Sequence, residues 1–110
     1  MALMIGLMDK KSRVVPEWKT PGRHATFSSI YDFFLWANSK FCLYPPNYTD
    51  FCYADLHNPT DGWHEIEASD SFDDVMSENK AILLSGHIPL VREGQVVVHR
   101  EWFAIYCKDC

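Results

Sequence analysis

At 110 residues, with 47% apolar and 15% aromatic side chains, the chain has the length and composition of one domain with a true core, which argues against disorder. No apolar run approaches the roughly 18 residues that a membrane span needs. The net charge of −5 is unevenly spread: five bases (Lys10, Lys11, Arg13, Lys19, Arg23) face only Glu17 between residues 10 and 23, whereas residues 41–79 hold nine acids and no Lys or Arg.

The opening residues, Met1 to Met8, are apolar but lack a preceding basic residue and a small-residue cleavage site. They read as a first strand rather than a signal peptide, which places the chain in a cytoplasm. Pro16, Pro21 and Gly22 mark a loop. Phe27, Ile30, Tyr31, Phe34 and Leu35 then recur at helical spacing, which predicts a major amphipathic helix over about 27–40. Ser29 with Asp32 three residues on offers its cap, with Thr26 or Ser28 as alternatives, Asn38-Ser39 an exit, and Pro45-Pro46 forbids continuation. Phe33 and Trp36 lie off this stripe, so the helix is apolar on more than one side and is expected to form the core on which a sheet packs.

Beyond it, residues 51–54 suggest a short strand and Trp63 to Glu67 an edge strand, separated by the Asn58 to Gly62 turn cluster. Ser71, with Asp74 three residues on, can cap a second short helix over 71–79. The apolar run Ala81 to Ser85 fits a central strand. Glu93-Gly94 joins residues 87–92 to 95–106 as a two-residue C-terminal hairpin. Both faces of the last strand mix polar and apolar residues, so alternation alone leaves open which one meets the helix. The sum is a single α+β domain over residues 1–110, with helices on a small antiparallel sheet.

The chemistry-bearing residues are few. Cys107-Lys108-Asp109-Cys110 could hold a zinc ion if Cys52 and His57 completed the set. The competing expectation is reduced cysteines, with Cys42 and Cys52 as small core residues. His64 with Glu65 and Glu67 is the densest acid–base cluster, yet no phosphate loop, nucleophile elbow or other catalytic motif accompanies it. The reading therefore leans away from an enzyme, and no cofactor is expected. Trp18 among the N-terminal bases suits a nucleic-acid backbone, but the acidic half would repel phosphate, so direct nucleic-acid binding is disfavoured.

Trp63-His64-Glu65-Ile66-Glu67, Ile82-Leu83-Leu84 and Trp102 together resemble a small bacterial and phage family of unknown function. Its members carry a Trp-His-Pro-Ile-Glu-type opening, an apolar strand and a later Trp on a closing strand. The resemblance covers residues 63–103. Glu65 stands where the pattern has Pro, and Ala68-Ser69-Asp70 departs from its usual turn. It carries over no catalytic residue; what it implies is a phage or mobile-element origin and a small accessory role.

The expectation that follows is a small acidic protein-binding domain whose partner offers a basic surface. The residues expected to meet it are Asp61, Glu65, Glu67, Asp70, Asp73, Asp74 and Glu78, with Trp63 as an aromatic anchor. An inhibitor of a nucleic-acid-handling host protein fits such a run, and a toxin-neutralising immunity protein would look much the same. The alternative from another class is a small zinc-binding or enzymatic domain built on Cys107 and Cys110 with Cys52 and His57. Trp18, Trp36 and Tyr48 are further candidates for exposed contact aromatics.

Overall fold

The computed structural model describes residues 3–22, 27–43, 48, 50–59 and 62–108, with the side chains of 88–92 and 95–99 left aside. Six strands form one antiparallel sheet: β1 (Leu3–Leu7), β2 (Trp18–Lys19), β3 (Phe51–Asp55), β4 (His64–Ile66), β5 (Ala81–Arg92) and β6 (Gln95–Cys107). Their order across the sheet is β2-β1-β6-β5-β3-β4. Helices α1 (Ile30–Lys40) and α2 (Phe72–Glu78) complete the α+β fold. None among the described residues is long and apolar enough to cross a membrane.

Both helices start where local chemistry supplies a cap. The Ser29 hydroxyl accepts from Asp32 N at 3.1 Å, and that of Ser71 from Asp74 N at 3.3 Å. The loop after β4 also serves α1, because the Asp70 and Ala68 carbonyls accept from Ile30 N and Tyr31 N at 2.9 and 3.0 Å. Two amides that a helix start leaves orphaned are thereby satisfied from outside. At the exit, Leu43 N donates to Asn38 O at 3.0 Å across Cys42, whose φ is 54°. That is a Schellman closure with cysteine in the left-handed position glycine usually takes.

The buried face of α1 differs from the expected stripe. Ile30, Phe33, Phe34 and Ala37 are fully buried, whereas Tyr31 and Leu35 are 39% and 40% exposed. Phe33 decides the rotation: it stacks on Phe72 of α2 at 5.2 Å and meets Phe103 edge-on at 5.5 Å. A residue outside the periodic stripe thus becomes the junction of both helices and the sheet. Phe34 fills the other side, with Tyr48 at 4.4 Å and Phe51 at 5.1 Å between ring centres. A Cβ on Gly86 would lie 2.5 Å from Tyr48 and 2.8 Å from Phe34, so the sheet must be bare there. Tyr48, read from sequence as an exposed aromatic, is a core residue, and Cys42, read as core, is exposed.

Register settles the question that β6 alternation left open. Phe103 and Ile105 pair with Leu84 and Ile82, and all four are buried beneath the helices. Arg100, Trp102, Ala104 and Tyr106 therefore fall on the second face, which no helix covers.

Candidate partner-binding cleft

The second face of the sheet is built from aliphatic residues at its centre and large aromatics around them. Ala54, Leu83 and Ala104 lie side by side across β3, β5 and β6 and are buried although no helix covers them. Trp18 shields one flank, edge-on to Tyr106 at 5.0 Å and lying over Gly6, where a Cβ would approach its ring to 3.1 Å. Trp63 shields the other, 5.5 Å from Trp102. Such rings hold apolar area in partial contact with water, which is the usual state of a contact surface.

Beside the Trp63–Trp102 pair the face opens into a cleft of about 580 Å³. Its floor is one cross-strand row in which Trp102 faces Ser85, Ser85 faces Cys52 and Cys52 faces Glu65. Arg100, two residues from Trp102 on β6, leans across this row. Its Nη1 lies 3.4 Å from Ser85 Oγ and 3.7 Å from Cys52 Sγ. Glu65 and Glu67 line one wall and Asp50 the end, where its carboxylate is 3.1 Å from His87 Nδ1. Three carboxylates thus share the lining of the cleft with one guanidinium, and that lining is net acidic.

Burial pushes the Cys52 thiol up, more than Arg100 and the Ser85 hydroxyl pull it down. The sulfur is therefore less readily ionised than an ordinary cysteine, which disfavours it as a nucleophile. His57 is exposed beyond the end of β3, and Cys107 is disulfide-bonded rather than reduced, which takes its sulfur out of a thiolate set. Cys110 lies outside the described residues, and among those described no three His, Cys, Asp or Glu side chains cluster as metal ligands.

The expected partner-binding residues separate into two surfaces. Trp63, Glu65 and Glu67 meet in the cleft. Asp70 is engaged locally, its carboxylate accepting from Glu67 N at 2.8 Å to close the turn that caps α1. Asp73, Asp74 and Glu78 are exposed on α2, against the opposite face of the sheet. Asp61 lies outside the described residues. Sequence reading missed Asp50, Ser85 and Arg100. Counting back from the Glu93-Gly94 turn would have placed Arg100 beside His87 and Trp102 beside Ser85, because a two-residue loop fixes the register.

No family model matches this chain, and comparisons with curated proteins and with solved structures find no match.

Proposed function

We propose that the chain is a small acidic protein-binding domain that takes a basic segment of a partner into the cleft beside the Trp63–Trp102 pair. The observation that supports this most is that two indoles, three carboxylates and a single guanidinium line one cleft. A Lys or Arg side chain entering there meets ring faces and carboxylates together, and each favours a cation. Arg100, held by a hydroxyl and a thiol, can receive a carboxylate or carbonyl of the same segment. On this reading the domain is a phage or mobile-element inhibitor, acting in a host cytoplasm, that occupies a basic surface of a nucleic-acid-handling protein. Its carboxylates stand where phosphates would. An immunity protein that neutralises a basic toxin would use the same chemistry.

The test is titration of a Lys- and Arg-rich peptide against the wild type, against Glu65→Lys with Glu67→Lys, and against Glu78→Lys. We expect the double reversal to weaken binding at least about tenfold, mainly through a slower on-rate, and Glu78→Lys on α2 to change little. Affinity should also fall as salt rises from about 50 to 500 mM and the Debye length contracts below 10 Å. Equal weakening by Glu78→Lys would reduce the effect to net charge and remove the cleft from the account.

A further inference from the structure

The two longest strands outrun the sheet. β3 pairs with β5 only from Ile82 to Gly86, and β1 pairs with β6 only from Phe103 to Cys107. Residues 88–92 and 95–99 continue as a two-stranded ribbon, with no third strand among the described residues. Such a ribbon is marginal in water on its own. By sequence, residues 88–91 are Ile, Pro, Leu and Val and residues 96–98 are all Val.

The register shows which backbone groups point away from the ribbon. His87 N donates outward to Asp50 O, and Trp102 O accepts from Met8 N on the other side. Odd-numbered residues of β5 and even-numbered residues of β6 therefore present their amides and carbonyls to the edges. On the β5 edge the next outward donor falls at Pro89, which has none, so that edge is blunted. On the β6 edge Val96 and Val98 carry both a donor and an acceptor with no partner among the described residues, and Lys10 Nζ occupies the Arg100 carbonyl just beyond at 2.7 Å.

We infer that the Val96–Val98 edge pairs antiparallel with the same edge of a second copy of this chain, making a dimer joined by a four-stranded ribbon. A twofold axis lets one segment satisfy itself, since the Val96 and Val98 amides of each copy meet the Val98 and Val96 carbonyls of the other. Residues 95–98 carry no charge, so the net −5 of the chain does not oppose contact there. With Pro89 closing the opposite edge, the pairing stops at two rather than growing into a fibre. This assembly rests on no feature of the cleft.

Sedimentation from about 10 µM to 1 mM, the range in which a modest interface populates a dimer, reads the assembly directly. Wild type is expected to shift from monomer to dimer, with amide exchange at Val96 and Val98 slowing at least about tenfold over the same range. Val98→Pro removes one outward donor and leaves the ribbon's own ladder intact, so it is expected to remain monomeric with an unchanged melting temperature. Pro89→Val, which opens the second edge, is expected to give species larger than a dimer. A wild type that stays monomeric throughout, or a dimer that survives Val98→Pro, would overturn the inference. Exchange at Val96 and Val98 that ignores concentration would do so even if the proline variant failed to fold. Protection that arises only on adding a different protein would overturn the second copy as occupant.

Discussion

Tyr48 lies against Phe34 and over Gly86, and its hydroxyl is 3.1 Å from Asn38 Nδ2 and 3.3 Å from Oδ1. Burial, with the charge of Glu101 adding to it, pushes the phenol up to about 12 even though the Asn38 hydrogen bond pulls the other way. The sign follows from proton binding: between pH 10 and 12 the unfolded chain releases this proton while the folded chain keeps it bound. Stability from this group is whole below pH 10 and falls as pH rises through 12, by roughly 3 kcal/mol in total. Urea unfolding at a series of alkaline pH values should show Tyr48→Phe losing less stability than wild type across that window. At neutral pH the same variant should cost about 1 kcal/mol, because the Asn38 amide loses a partner. A second comparison tests the rotated face of α1. Phe34→Ala should cost roughly 3–5 kcal/mol and Leu35→Ala under about 1, in urea melts of both. Similar costs would restore the stripe that periodicity suggested.

The caps of both helices were legible in the sequence because Ser29 and Ser71 act within three residues of their own position, although Thr26 and Ser28 competed with Ser29 and the first helix starts at Ile30 rather than 27. The Glu93-Gly94 turn was legible for the same reason: both residues take positive φ, 52° and 78°, as the mirror-image hairpin turn requires. Which face of α1 is buried could not be read, since Phe33, Phe34 and Leu35 are near-equal in hydrophobicity and the choice rests on Phe72 and Phe103, distant in sequence. The same limit hid the cleft, whose floor joins residues from β3, β4, β5 and β6. The acidic run was visible, but not that Asp70 would be spent on a turn and Asp73, Asp74 and Glu78 carried to the other face. At the exit of α1, Cys42 holds a left-handed conformation that costs a side-chain-bearing residue. Cys42→Gly should raise unfolding stability by about 0.5–1 kcal/mol, read by denaturant midpoint at constant slope. A fall would mean that the cysteine itself stabilises the exit.

At the scale of the molecule, the sheet has one face spent on stability and one left for contact. The helices cover Ile82, Leu84, Phe103 and Ile105, while the other face carries its aromatics in partial contact with water and lines a cleft with carboxylates and Arg100. The chain's four tryptophans divide usefully between these regions: Trp63 and Trp102 stand at the cleft, Trp18 on the far flank of the same face, and Trp36 on α1. Their indole N–H groups give separate proton resonances, so one titration reads all four positions at once. With a Lys- and Arg-rich peptide added at low salt, the account predicts that the Trp63 and Trp102 indole signals shift saturably while those of Trp18 and Trp36 stay in place. Shifts at Trp18 or Trp36 alone, or uniform small shifts at all four, would contradict the cleft as the binding surface.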